Sequence, residues 1–223
     1  MRRARGFTLI ELAVALAVIG LLLGMLIVPL NAQIDQQRIN DARKQLALIN
    51  EALLGFAVAN GRLPCPATPT TANTTVNAGT ENCALSEGVV PWATLALPET
   101  DPWNWRFTYR VTAGFKNNPP VGMQAALSLA DNGEITVRAT SGGIDIATGV
   151  AAIVVAHGKN GLGAYQTDGV RMTTVGAGVD ELENTNADII FVSKLPEPTY
   201  DDQVLWLSTH VLKSRLIAAN RLP

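Results

Sequence analysis

Cysteine, histidine, aromatic side chains and charge are all scarce in this chain of 223 residues. Two cysteines exclude a cysteine-dense scaffold, and neither His157 nor His210 lies near Cys65 or Cys83 in sequence to complete a metal site. Charged residues make up 16% of the chain with a formal net charge of −2, so no basic patch points to a nucleic-acid partner. The G-x-x-x-x-G-K-[ST] phosphate loop, the G-x-S-x-G nucleophile elbow and the EF-hand spacing are all missing. His157 opens the turn His157-Gly158-Lys159-Asn160-Gly161, but no motif sets a serine or cysteine nucleophile beside it. It reads as a hydrogen-bonded turn histidine, and no catalytic residue is expected. The length allows one apolar span plus one ordinary domain, or two small ones.

What the chain does have is an apolar run at its start. Arg2, Arg3 and Arg5 precede Gly6-Phe7, and the residues from Phe7 to Leu30 are then uncharged except for Glu11. As a helix this run would rise about 36 Å, enough to cross a bilayer core of about 30 Å. The arginines would hold the N-terminus in the cytoplasm and leave the rest of the chain outside the inner membrane. Glu11 does not suit a plain anchor, because a carboxylate within a span costs about 2.5–3.5 kcal/mol even on insertion scales. One reading lets it reach the headgroups. The other needs a cut after Gly6, which creates an α-amino group at Phe7, largely cationic at neutral pH. Amine and carboxylate are costly to bury singly and tolerable as a pair, within one helix or between two.

Gly6-Phe7-Thr8-Leu9-Ile10-Glu11 resembles the type III signal of type IV pilins and type II secretion pseudopilins. The resemblance implies removal of the leader, residues 1–6, by a membrane prepilin peptidase acting between Gly6 and Phe7. It also implies N-methylation of Phe7 and contact of Glu11 with the N-terminus of a neighbouring subunit during assembly. Losing the leader takes the formal charge from −2 to −5. The partners implied are prepilin peptidase, other pilin or pseudopilin subunits, and inner-membrane lipid. The rival reading is a secreted protein cut after Leu30-Asn31-Ala32, for which Glu11 would have no purpose.

Beyond Pro29 the pattern turns amphipathic. Ile39, Ala42, Leu46, Ile49, Leu53 and Phe56 recur at spacings of three and four, which predicts one helical face buried on a sheet. Asn60-Gly61 with Pro64 is the stop signal. The chain thus divides into a leader (1–6), a transmembrane half-helix (7–30), an amphipathic half-helix (31–60) and a periplasmic or extracellular head (61–223). Residues 63–88 read as a loop with a threonine-rich centre, bracketed by Cys65 and Cys83. An even cysteine count in an exported head argues for a disulfide, against two unpaired buried thiols.

Asp101-Pro102-Trp103-Asn104 is a turn with an aromatic anchor, leading into a strand over Phe107–Val111. It resembles the Asp-Pro-Trp-Gly turn of major pseudopilins, with Asn104 at the glycine position. Trp92, Trp103 and Trp105 read as anchors of the head, with sugar binding the alternative. Further strands are predicted over Met123–Leu129 and Glu134–Ala139, joined as a hairpin through Asn132-Gly133, and over Val150–Ala156, Asp188–Ser193 and Gln203–Leu207. Residues 157–186 read as an irregular glycine-rich excursion. Ser208 is placed as the cap of a short last helix, with one helix from Asp202 onward as the competitor.

The fold class expected is α+β: a long N-terminal transmembrane-plus-amphipathic helix packed on a mostly antiparallel sheet. The function expected is a structural subunit of a type IV pilus-like or pseudopilus filament, with a minor pilin bearing a ligand-binding head as the alternative. No cofactor is expected. Asp168, Asp180, Glu181, Glu183, Asp188, Asp201 and Asp202 could supply oxygens to calcium, as major pseudopilins do from a late loop, but a solvated acidic loop is the simpler reading and no metal ligand is assigned.

Overall fold

The computed structural model describes residues 8–222, and the side chains of all of these except 23–30. Its first element is a helix, α1 (Leu9–Asn60), unbroken through Pro29. Contacts divide the chain inside that helix, into residues 1–40 and 41–223. In the first unit, Leu9, Ile10, Leu12, Val14, Leu16, Val18, Ile19, Leu21 and Leu22 are each about half exposed or more. At about 100° per residue they cover the whole circumference, so this segment is apolar without being amphipathic. Among the described residues no helix is long and apolar enough to cross a membrane. Residues 9–22 rise only about 21 Å. Phe7 and the side chains of 23–30, which the expected span needs, lie outside the described residues.

In the second unit the amphipathic face forms as the spacing predicts. Ala42, Leu46, Ile49 and Leu53 are buried, joined by Leu54 and Ala57, while Phe56 is half-buried beneath the guanidinium of Arg62. The helix stops at Asn60 because Gly61 takes φ +69°, and a Cβ there would meet the Gln124 carbonyl oxygen at 2.0 Å. Two orphan carbonyls of the last turn, Val58 and Ala59, accept from the Arg221 guanidinium at 2.9 and 2.6 Å.

The sheet is built on β4 (Asp145–Ala156), the longest strand. Along one edge β2 (Thr108–Val111) and β3 (Ile135–Arg138) lie end to end, both antiparallel to it: Val111 pairs with Ala152 and Ile135 with Val150. Thr112 closes the seam. Its N–H donates to the Ala151 carbonyl, and its hydroxyl donates to Val150 and accepts from the Glu134 N–H. On the other edge β6 (Gln203–Ser208) runs antiparallel to residues 150–156. Outermost are β1 (Glu87–Val89), antiparallel to β2, and β5 (Ile190–Val192), parallel to β3. One face packs Phe107, Tyr109, Val111, Val154 and Leu207 against α1 and against α4 (Thr209–Ala218). The other holds a smaller core of Ile135, Val137, Ile153, Val155 and Phe191. The sheet is mostly antiparallel and the fold is α+β, as expected.

Several expectations need correction. Met123–Leu129 is not a strand, so the hairpin through Asn132-Gly133 does not form. That segment docks instead on the end of α1, where the Ala126 N–H donates to Gly61, and Ala125 and Leu127 find burial without a partner strand. Met123 and Leu129 at its ends stay exposed. β1 lies partly in the stretch read as loop. A one-turn helix α2 (Trp92–Leu95) and a short helix α3 (Val179–Glu183) were not foreseen, the second falling inside the glycine-rich excursion. At the C-terminus the strand-then-helix reading holds, and the Ser208 hydroxyl accepts from the His210 N–H at 3.3 Å.

Candidate functional site

At the start of α1, Thr8 and Glu11 cap the helix reciprocally. The Thr8 N–H and hydroxyl each donate to Glu11 Oε2 at 2.8 Å, and the Glu11 N–H donates back to Thr8 Oγ1 at 3.3 Å. This is a capping box, T-x-x-E, whose four-residue signature stands in the sequence at an apolar run and went unread there. Glu11 is thus engaged within its own chain, through the residue next to the expected new N-terminus. Gly6 and Phe7, expected as the cleavage and methylation positions, lie outside the described residues.

The head holds its loops by polar clamps. Cys65 and Cys83 are joined in a disulfide with their Cα atoms 5.0 Å apart. Beside it the Arg62 guanidinium grips Glu81 through two hydrogen bonds of 2.9 and 2.8 Å and holds that carboxyl below its ordinary range. Arg106, fully buried, donates to Glu99, to the Pro69 carbonyl of the threonine-rich loop and to the Thr167 carbonyl of the late loop. Its guanidinium lies 4.6 Å over the Trp92 ring. No motif marks Arg106. A cation one residue before the strand expected over Phe107–Val111 was its only signal.

The aromatic turn is formed as read. Asp101 Oδ1 accepts from the Trp103 and Trp105 N–H groups, both at 2.9 Å, and Asn104 takes φ +69°, the left-handed conformation that glycine or asparagine supplies. Trp105 closes over Gly161, where a Cβ would meet the indole at 2.3 Å. With Trp92 under Arg106 and Trp105 against Gly161, these rings serve as anchors.

Residues 1–27 match the family model of the prokaryotic N-terminal methylation motif. This match, on the N-terminal segment, supports a pilin-type protein. No curated protein and no solved structure matches it. The motif belongs to proteins that are anchored in a membrane or assembled into filaments, processed by prepilin peptidase and generally without enzymatic activity.

Around His157 the head gathers a buried polar group. The imidazole Nε2 lies 2.7 Å from the Thr108 hydroxyl, and Nδ1 lies 3.7 Å from Asp202 Oδ1, beyond hydrogen-bond range. A hydroxyl, an imidazole and a carboxylate thus occur in the order of a nucleophilic triad. The long Asp202 contact and the burial of Thr108 in the sheet, 8% exposed, do not make it a working one. Asp201 Oδ2 accepts from the Lys159 and Asn160 N–H groups, Asp202 from the Asn184 amide, and Glu181 from the Asn160 amide and the Asp201 N–H. Burial pushes the carboxyls of Asp101 and Asp201 up to about 6, against the lowering effect of those N–H donors.

Of the seven late carboxylates considered for calcium, Glu181, Asp201 and Asp202 come together, with oxygens within 4.8 Å of one another. Each of the three already serves N–H groups of its own chain, which accounts for their convergence without an ion. Asp180 pairs with Lys194 instead, and Asp188 turns to the Ile190 N–H. The other close set, Cys65, Glu81 and Cys83, is closed by the disulfide.

Proposed function

We propose that this chain is a structural subunit of a type IV pilus-like or type II secretion pseudopilus filament. Prepilin peptidase cuts between Gly6 and Phe7, Phe7 is N-methylated, and residues 7–30 sit in the inner membrane with the head in the periplasm. The observation that carries this is the segment 9–22, which lies within the matched methylation motif: helical, apolar around its whole circumference, with one carboxylate. Such a surface is stable only in lipid or against other apolar helices. In the filament those helices are the spans of neighbouring subunits, and Glu11 exchanges its Thr8 partners for a neighbour's Phe7 amine. The aromatic turn at Asp101–Asn104 supports the pseudopilus over the pilus.

The test is the N-terminal sequence and mass of the mature protein, made with and without prepilin peptidase. A methylated Phe7 start that depends on the enzyme is the expected result. A start at Gln33 would make this a secreted protein and overturn the proposal.

A further inference from the structure

Four segments of the head meet at one buried polar group: the aromatic turn at Asp101, the exit of β4 at His157–Asn160, α3 at Glu181, and the link Tyr200–Asp202 into β6. Three of its polar atoms are buried without a hydrogen-bond partner: Asp101 Oδ2, His157 Nδ1 and Asp201 Oδ1. Buried polar atoms of native proteins are satisfied as a rule, so three orphans in one place need an explanation. We propose that Asp101, His157, Asp201 and Asp202 form a proton-operated latch, which holds these segments together while the group carries an added proton and loosens them when it leaves.

The geometry suits that role. Asp101 and Asp201 each spend one oxygen on two backbone N–H groups and keep the other buried and bare. A proton can occupy the bare oxygen without breaking any of those four bonds. When it departs, Asp101 faces the field of Asp201, and Asp201 that of Asp202 and Glu181, with His157 beside Asp101 and the exposed Lys159, itself engaged, contributing its backbone N–H. The remaining charged groups adjoin through Tyr200, whose ring lies 5.0 Å from Lys194 Nζ, the partner of Asp180 and Glu197. Burial raises both aspartates to about 6, which sets the latch at mildly acidic pH. The segments it ties are the roots of the late loop, residues 162–178. The latch depends on nothing at the N-terminus, so it stands apart from the filament reading.

Hydrogen exchange of the full chain in detergent micelles tests it, after correction for the intrinsic pH dependence of exchange. For a carboxyl at about 6 when folded and 3.8 when open, the opening equilibrium rises about tenfold per group between about pH 5 and about pH 7.5. Protection at residues 157–163 and 200–203 should fall by that factor for each group, while α1 residues 46–57 stay unchanged. Asp101→Asn and Asp201→Asn should each remove about one tenfold step, and the double variant should be flat. Carbon-13 NMR titration of the wild-type aspartate carboxyls checks the same point without a variant, with two midpoints near 6 expected. Midpoints all within the ordinary carboxylate range would overturn the latch, as would an undiminished pH response in the double variant. If saturating calcium at neutral pH restored protection that a chelator removes, a cation and not a proton would neutralise the group, and the latch would equally fall.

Discussion

Removing the charge of Arg106 should destabilise the head through its loop layer, and Arg106→Met separates charge from bulk. Methionine keeps most of the apolar contact with Trp92 but donates nothing. Glu99 then loses two hydrogen bonds of 2.9 and 2.7 Å, and the Pro69 and Thr167 carbonyls lose one each. Breaking one side of a buried ion pair costs about 3–5 kcal/mol, mostly from the stranded charge. Glu99 keeps about a fifth of its side chain exposed, so water recovers part of this and about 3–4 kcal/mol is expected. In a chain of this length that is a melting point lower by roughly 6–16 °C. The assay is thermal unfolding by circular dichroism in detergent, on a double-mutant cycle with Glu99→Met. The apolar pair should recover most of the loss, giving a coupling of about 2–3 kcal/mol. A single-variant cost below about 1 kcal/mol, or additive variants, would refute the clamp.

Other consequences follow from single residues. Replacing Cys65 and Cys83 by serine opens an 18-residue separation and should cost about 3 kcal/mol, read as a lower denaturation midpoint with a slope no smaller than the wild type's, because the unfolded chain is less constrained. Gly61→Ala meets both a positive φ and the Gln124 carbonyl, so at least about 2 kcal/mol is expected, and a smaller loss would mean that residues 122–126 move aside. Stability should peak at mildly acidic pH. Asp101 and Asp201, raised when folded, contribute fully below their unfolded value and lose that contribution as pH rises through about 6. Glu81 and Asp180, lowered when folded, contribute above the unfolded range and lose it as pH falls through their folded values. Melting points across pH would show a plateau in place of the peak if burial of the two aspartates were illusory. Glu11→Gln keeps an acceptor for Thr8 and removes the charge. It should leave cleavage intact and abolish incorporation into filaments by coexpressed wild-type subunits, measured by pull-down. Normal incorporation would end the charge-pairing account.

Residues that act through periodicity or through a short covalent neighbourhood were legible in the sequence. The buried face of α1 was written in Ala42, Leu46, Ile49 and Leu53, the stop in Asn60-Gly61, and the turn in Asp101–Asn104. Local rules suffice there because each partner lies within one helical turn or one strand pitch. Met123–Leu129 shows where the same rule misleads. An Asn-Gly turn signal is local, whereas a strand also needs a neighbour for its backbone, and that neighbour is occupied: β3 continues the line of β2 along β4 and leaves no edge for residues 123–129. Thr8–Glu11 was legible and was read only for its charge.

The polar organisation of the head lay beyond sequence reading for a stronger reason. Arg106 reaches carbonyls 37 and 61 residues away, and Asp201 reaches amides 42 and 41 residues away. Backbone groups are present at every position, so a side chain that binds them leaves no complementary residue to be recognised. Acidic density in the late loops pointed to the right region and to the wrong unit: the seven carboxylates do not act together. Burial sorts them, placing Asp180 with a lysine, Asp188 at a strand start, Asp201 on the Lys159 and Asn160 amides and Asp202 beside His157. Asp101, counted only as a turn residue, belongs with this last group. Its carboxyl fixes the tryptophan anchors through one oxygen and meets the late segments' charge through the other, so one side chain couples the shape of the turn to the protonation of the loops.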